Sequence, residues 1–229
     1  MLCIVQARMS SKRFRGKMLE ELSGVSVLES VVGRLKLSKS ITKIIIATSL
    51  EHSDDRLVEY CSNLGLNYFR GSLENVASRF HDIIVSEKSP AFIRISGDSP
   101  LIDPELIDKA IELFNQKNVD LFTNVFPRSF PKGQSIEIVK SNTFIAAYQL
   151  MTTSDELEHV TGFFYNRKEE FKIFNLKAPG DYSDVNLCVD NPEDITLLER
   201  VLEDNHGKLA PWNVLADSYR TVKAKLIFE

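Results

Sequence analysis

After Met1 the chain reads Leu2-Cys3-Ile4-Val5-Gln6-Ala7-Arg8-Met9-Ser10-Ser11-Lys12-Arg13-Phe14-Arg15-Gly16-Lys17. Leu2 to Val5 is a short apolar run of the kind that forms a buried strand. Arg8, Lys12, Arg13, Arg15 and Lys17 follow within ten residues, together with the hydroxyls of Ser10 and Ser11. A strand that hands over to a cationic, hydroxyl-bearing loop is a cradle for polyanions, because fixed cations and exposed backbone N–H groups converge there. Arginine forks two N–H groups onto phosphate oxygens, while lysine supplies a point charge. A nucleoside triphosphate is the ligand this pattern favours. The loop carries neither G-x-x-x-x-G-K-[ST] nor G-x-G-x-x-G, so the P-loop and the dinucleotide fingerprint are both excluded. The competing reading is a solvated surface loop, which is what most charge runs are.

Outward from this loop, strands and helices alternate. Val27–Leu37 carries Leu28, Val31, Val32 and Leu35 at helical spacing. Lys43–Thr48 is a β-branched run that reads as a buried parallel strand. Asp54–Leu64 is helical and stops at Gly65. Asn67–Arg70 is a strand, and Asn75–Glu87 a helix capped by Asn75. Ala91–Ile95 is a strand, and Asp103 caps a helix that starts at Pro104 and ends near Lys117. Val119–Thr123 is a further strand. This rhythm predicts an α/β fold, a mostly parallel sheet with helices on both faces. The second half breaks the rhythm. Strands are predicted at Ser135–Val139 and Phe171–Leu176, and an apolar strand at Val185–Val189. Helices are predicted at Asn142–Leu150, Glu156–Arg167 and Glu193–Asp204, with a last one from about Pro211. The length of 229 residues fits one domain spanning 1–229, with about 125–180 as an inserted lid or arm for acceptor binding or dimerisation.

Composition narrows the function classes. Hydrophobic residues make up 43% and charged residues 26%, as in an ordinary globular protein. A net charge of −4 argues against a general nucleic-acid binder and makes the basic loop a local exception. Cys3, Cys61 and Cys188 have no metal-ligand spacing; Cys3 and Cys188, in apolar strand-like runs, read as core residues, and the set suggests a reducing, cytoplasmic setting. No apolar run approaches a membrane span or a signal-peptide core.

Three further constellations carry chemistry. Arg94-Ile95-Ser96-Gly97-Asp98-Ser99-Pro100 delivers Asp98 to the carboxyl edge of the sheet, where open α/β folds bind ligands. A carboxylate there beside a triphosphate suggests Mg²⁺. Asp before Ser-Pro is also a common turn residue. Val189-Asp190-Asn191-Pro192-Glu193-Asp194 supplies Asp190 as a second metal ligand, or else Asn191 as a helix cap with Glu193 and Asp194 favouring the dipole. Glu158 and Thr161 stand three apart on the predicted 156–167 helix, so they share a face, and His159 between them is placed to bond an anionic group. Two strand-end aspartates with one basic loop form a set for metal-assisted nucleotidyl transfer.

Together these stretches resemble the cytidylyltransferase family that makes CMP-activated acidic sugars, which includes the CMP-Kdo and CMP-sialic acid synthetases. The spore-coat-polysaccharide branch is the nearest in pattern. Ile4 to Lys17 matches I-V-Q-A-R-M-x-S-x-R…G-K, and R-I-S-G-D-S-P-L-I-D-P at 94–104, E-H-V-T at 158–161 and V-D-N-P-E-D at 189–194 follow in order. The resemblance implies a Rossmann-like nucleotidyltransferase sheet, CTP, Mg²⁺, a small acidic acceptor and a homodimer with an arm. It implies that Arg13 and Lys17 are catalytic, on the departing pyrophosphate. Ala7, Arg8, Ser10, Ser11, Thr48, Arg70 and Arg79 would contact the nucleotide. Asp98 and Asp190 would hold the metal, and Glu158 and His159 would face the acceptor. The sequence departs from the family at four places. Ser10 stands where glycine is common, and Phe14-Arg15 replaces Leu-Pro. Ser135 replaces the aspartate of L-D-[VI]-E, and Gly162 replaces a proline. Two other functions compete: a nucleotide-sugar-dependent glycosyltransferase of similar fold, against which the chain lacks D-x-D, and a non-catalytic nucleotide-binding homologue.

Overall fold

The computed structural model describes residues 1–207 and 209–226. The chain begins with β1 (Leu2–Gln6), then a short hairpin of β2 (Glu21–Leu22) and β3 (Val25–Ser26) leading into α1 (Val27–Leu35). Next come β4 (Lys43–Ser49), α2 (Asp55–Asn63), β5 (Asn67–Gly71), α3 (Val76–Glu87), β6 (Ala91–Ser96), α4 (Pro104–Lys117) and β7 (Leu121–Thr123). After these follow β8 (Glu137–Lys140), α5 (Ser141–Tyr148), α6 (Ser154–His159), α7 (Gly162–Asn166), β9 (Ile173–Asn175), α8 (Pro192–Asp204) and α9 (Trp212–Leu226). The main sheet has seven strands in the order β5-β4-β1-β6-β8-β7-β9. β8 alone runs against the others, paired antiparallel with β6 and with β7. The predicted α/β class, a mostly parallel sheet covered by helices, is the one observed.

The period of two in β1 explains the layering. Cys3 and Val5 point into one core with α1, α2 and α4, where Leu28, Leu57 and Ile107 meet. Leu2 and Ile4 point into the opposite core with α3, α5 and α7, where Phe80, Phe144 and Phe164 meet. A third cluster joins α8 and α9 to Leu187 and Val189, with Phe14 of the basic loop against it. Of the segment 125–180, β8 and β9 are strands of the main sheet itself. Among the described residues no helix is long and apolar enough to cross a membrane.

Local chemistry sets the predicted caps. The Asn75 side chain accepts from Ser78 N at 2.8 Å, and Asp103 accepts from Glu105 N at 2.8 Å. Gly65 takes the left-handed conformation (φ 62°) that ends α2. Two expectations are corrected. The predicted 156–167 helix is two, α6 and α7, broken at Val160 (φ 52°, ψ −60°). The break lets Thr161 Oγ1 donate to the buried Glu137 at 2.8 Å. Val185–Val189 is not a strand of the sheet. Its backbone bonds run to Lys132 and Asp98, with Leu187 N donating to Lys132 O and Val189 N to Asp98 O, each at 2.9 Å.

α6 has its own pH signature. Glu156 accepts from Arg167 at 2.7 Å and from the backbone N–H groups of Thr152 and Thr153. Arg167 first, then those N–H groups, hold its carboxyl below the ordinary 4.5, at about 2. The depressed value means that this stabilisation is complete above the unfolded pKa and is lost as pH falls toward the folded one. The stability gap between wild type and Glu156→Gln is therefore expected to be constant above pH 5.5 and to shrink between pH 4.5 and 2, measured by denaturant unfolding. A gap that stays constant down to pH 2.5 would contradict this.

Candidate active site

The topology singles out one crevice. From β1 the chain moves outward to β4 and β5, then crosses back to β6 on the other side of β1. Ligands of open α/β sheets bind outside the carboxyl ends of strands at such a reversal. The carboxyl ends of β1 and β6 are level there, with Gln6 beside Ser96. Gly97 makes that close approach possible. A Cβ on it would lie 3.0 Å from the Ala7 Cβ, 3.1 Å from Gln6 O and 3.1 Å from the Met18 Sδ.

The basic loop lies over this crevice and is fastened at several points. Ala7 N donates to Ala47 O at 3.2 Å, and Gly16 N to Met9 O at 2.9 Å. Gly16 is left-handed (φ 82°) and turns the chain into a short 3₁₀ segment that carries Lys17 inward. Ser10 is not in the left-handed region, so its place in a glycine position needs no strain. Met9 N donates at 2.7 Å to Asp54, a fully buried carboxylate. Asp54 also accepts from Thr48 Oγ1 at 2.8 Å, Ser49 N at 2.9 Å and Ser49 Oγ. Asp54, read from the sequence only as the start of a helix, therefore pins the loop to the end of β4. The pattern Thr-Ser at a strand end with Asp five and six residues on is the signal that was available.

Within the crevice the predicted residues meet. Lys17 Nζ donates to Asp98 Oδ2 at 2.8 Å, to Val189 O at 2.8 Å and to Asp190 Oδ1 at 3.3 Å. Lys17 is 6% exposed, so its ammonium is a buried charge compensated by two carboxylates. Arg13 reaches Asp190 at 2.8 Å and Arg8 reaches Glu158 at 3.4 Å. A cleft of about 340 Å³ is lined by Arg8, Lys12, Arg13, Lys17 and Arg94 against Asp98, Glu158 and Asp190, so cations outnumber anions five to three. Ser11 also lines it. Asp190 lies in a loop rather than at a sheet-strand end, and its N–H and that of Asn191 both donate to Asp194 Oδ2 at 2.8 Å.

Other predicted residues stand apart from the cleft. Thr48 is 1% exposed and its hydroxyl is engaged by Asp54. Arg70 donates to Ser49 O and Glu51 O at 2.9 and 3.0 Å and pairs with Asp55, holding the loop after β4. Arg79 is fully buried, and its Nη1 donates to Ala47 O at 3.2 Å. Its Nε and Nη2 have no partner. Burial first, then the charge of Arg8, push Arg79 down to about 10, still protonated at neutral pH. His159 is exposed and pairs with Asp155 at 3.4 Å on its own helix. Arg94 was not singled out from the sequence. It repeats with Ser96 and Asp98 at every second position, which places all three on one side, and Ser96 Oγ donates to Asp98 at 2.6 Å. A charged residue inside an apolar strand at that spacing was the clue. Burial raises the Cys188 thiol beyond its usual range, so this neighbour of Asp98 is no nucleophile.

Known proteins resemble this chain along most of its length. The Spore coat polysaccharide biosynthesis protein SpsF of Bacillus subtilis is 34% identical over 200 residues, which are 84% of this chain and 82% of that protein. An uncharacterized protein of Methanocaldococcus jannaschii is 35% identical over 197 residues, 85% of this chain and 79% of its own. The structure of a cytidylyltransferase from Leptospira borgpetersenii superposes with a TM-score of 0.87 at 28% identity, covering 97% of this chain and 93% of that one. The cytidylyltransferase family pattern runs over residues 2–209, spanning the basic loop, the Asp98 turn and the Asp190 loop that build the cleft, and the chain belongs to that family of nucleotidyltransferases.

Proposed function

We propose that the protein transfers CMP from CTP to a hydroxyl of an acidic sugar or related acidic metabolite, for surface polysaccharide or glycan biosynthesis. The acceptor oxygen bonds to the α-phosphorus, the bond from that phosphorus to the β-phosphate oxygen breaks, and pyrophosphate leaves as the hydroxyl proton passes to solvent. The observation that carries this reading is the convergence of Lys17 with Asp98 and Asp190 at the β1/β6 reversal, under a loop of further cations. Arg8, Ser10 and Ser11 would bind the triphosphate, and Arg13 and Lys17 would neutralise the departing pyrophosphate. Arg79 would give its two unpartnered nitrogens to oxygens of the base or ribose, offsetting the cost of leaving them unmet. Thr48 and Arg70 support this side through backbone and Asp54 rather than through their own free donors.

The donor set fits Mg²⁺. Two carboxylates and a carbonyl converge within 3.3 Å of one nitrogen, all oxygen ligands, and Mg²⁺ takes one or two carboxylates together with substrate phosphates. Among the described residues no cluster of three or more His, Cys, Asp or Glu side chains forms, so the nucleotide would complete the shell. Asp98 and Asp190 would hold the ion, which would supply charge neutralisation on the phosphates. Glu158 lines the cleft, and it and its neighbour His159 on α6, which lines the adjoining pocket instead, would face the acceptor. We take the enzyme to be a cytoplasmic homodimer using the 125–180 segment as its arm, which leaves Leu150 (64%) and Phe126 (39%) exposed in the single chain.

The test is pyrophosphate release with each of the four NTPs, with and without Mg²⁺, across a panel of acidic sugars, sugar phosphates and nucleotide sugars. CTP turnover that requires Mg²⁺, and that falls about a hundredfold or more in Asp98→Asn and Asp190→Asn, is expected. Turnover of Asp98→Asn at the wild-type rate would sink the metal role. Sugar transfer from a nucleotide sugar, with free CTP inert, would sink the whole reading.

A further inference from the structure

The opposite end of the sheet holds a larger cavity, of about 820 Å³, where β1, β4 and β6 begin and β8 ends. The four steps of β1 from Leu2 to Gln6 put about 13 Å between it and the triphosphate cleft. Leu2, Ala91 and Phe114 line it, each less than a tenth exposed. Leu2 belongs to one main core, and Ala91 and Phe114 to the other, so the cavity opens on the seam between them. More of its wall is apolar than polar. Lys43, Lys88 and Lys140 line it as well, against a single carboxylate, Glu87. Lys43 donates to both oxygens of Glu87, at 2.7 and 2.8 Å. Lys140 donates to the neutral Asn118 Oδ1 at 2.8 Å and stands 3.8 Å from Asp120, which is not part of the cavity wall. In a chain of net charge −4 this is a second local excess of cations.

Lys88 ends α3 in the left-handed conformation (φ 50°, ψ 32°). Helix ends of that conformation usually carry glycine or asparagine, because a longer side chain is strained there. Asn118 fills that place at the end of α4. A cation gains from the helix dipole anywhere in the last turn, so the dipole does not call for lysine at the strained position. Among the described residues the Lys88 side chain has no hydrogen bond and no ion pair that would offset the strain. Backbone strain gathers at sites that bind, and a mainly apolar cavity with a few convergent charges is the usual form of a small-molecule site. We propose that this cavity is a second ligand site, for a small organic anion with an apolar body. Lys88 and Lys140 hold the anionic group, and Leu2, Ala91 and Phe114 receive the body. Lysine supplies a point charge rather than the planar fork of arginine, so the site reads charge and not the shape of the anion. The proposal is independent of the cytidylyl-transfer reading.

Calorimetric titration of the full chain tests it, with 2-naphthoate, naphthalene-2-sulfonate, the neutral 2-naphthamide and sodium sulfate as probes. Both organic anions are expected to bind once per chain, with affinities within threefold of each other. Naphthamide, which lacks the charge, and sulfate, which lacks the apolar body, should each bind at least fivefold more weakly. Lys88→Gly should weaken naphthoate fivefold or more. Its Tm should equal or exceed that of wild type, because glycine adopts φ 50° freely, so the loss is not one of folding. In amide NMR spectra naphthoate should shift Leu2, Lys88 and Ala91 and leave Ala7 and Gly97 in place. A saturating non-hydrolysable CTP analogue should not displace it. The proposal is overturned if naphthoate fails to bind at millimolar concentration, or if the amide or sulfate binds as well as the organic anions. It is overturned equally if Lys88→Gly keeps wild-type affinity. Shifts at Ala7 and Gly97 in place of Lys88 overturn it too, since the probe would then sit in the triphosphate cleft.

Discussion

Lys17→Met is expected to lower kcat/KM for CTP-dependent pyrophosphate release by about a hundred- to a thousandfold, the cost typical of removing one preorganised charge that stabilises a transition state. Two effects add. Among the described residues the ammonium is the one group that touches Asp98, Asp190 and the Val189 carbonyl together, so its loss removes the link that holds two loops in register. Removing it also leaves two carboxylates facing each other without the cation between them. They relax by turning toward water, since Asp98 and Asp190 keep 21% and 22% of their side-chain surface exposed. The variant should consequently remain folded while its site disperses, and circular dichroism should report a native spectrum with little activity. Lys17→Arg is not expected to restore turnover. A planar fork cannot replace a compact ammonium at a site 6% exposed and satisfied by three oxygens in different directions. Turnover within threefold of wild type in Lys17→Met would show that the buried ammonium is only a structural strut. Salt offers a second check. An exposed pair such as Arg8–Glu158 weakens with ionic strength, whereas the Lys17 contacts, being largely buried, should keep their effect at 0.5 M salt.

How far the sequence predicted this arrangement depends on whether a feature is local. β1, β4 and β6 were legible because strands covered on both faces are apolar throughout, and Cys3 and Ile4 serve opposite cores without a change of residue class. The Asn75 and Asp103 caps were legible because each side chain bonds N–H groups two or three residues away. Distance is what hid the rest. The break at Val160 follows from a bond between Thr161 and Glu137, residues 24 apart, and no helical periodicity records it. The alternation Val185, Leu187, Val189 reports burial in the third cluster correctly, but burial on one side is not pairing, and the segment's partners proved to be a loop and a turn. In the site, Lys17, Asp98 and Asp190 were legible as residue types next to apolar runs, while their mutual contacts, across 81 and 173 residues, were not. The contacts of Arg70 and Thr48 are hidden for the same reason. Their chemistry suits a nucleotide, but neighbouring backbone and Asp54 already occupy their donors.

Asp54→Ala is expected to destabilise the protein by about 3–5 kcal/mol, the range found when one partner of a buried charged network is removed. Asp54 is fully buried and accepts from four donors: two backbone N–H groups, of Met9 and Ser49, and two hydroxyls, of Thr48 and Ser49. Alanine leaves all four donors in a space closed to water. For a chain of this length each kcal/mol moves Tm by roughly 2–4 °C, so a drop of roughly 10 °C is expected. Asp54→Asn separates shape from charge. It keeps one carbonyl oxygen but turns an NH₂ group toward donors, so it should recover less than half of the loss. The functional consequence falls on the basic loop, because the Met9 bond fastens that loop to the end of β4 beyond the Ala7 N–Ala47 O bond. With it gone, the amide of Met9 should exchange with solvent at least tenfold faster, while amides in the α8–α9 pair keep their wild-type protection. CTP affinity should fall even at temperatures where the variant is fully folded, since the arginines would have to be ordered by the ligand rather than presented to it. A Tm within 2 °C of wild type in Asp54→Ala, or CTP binding unchanged in the folded variant, would show that the cradle holds its shape without this carboxylate.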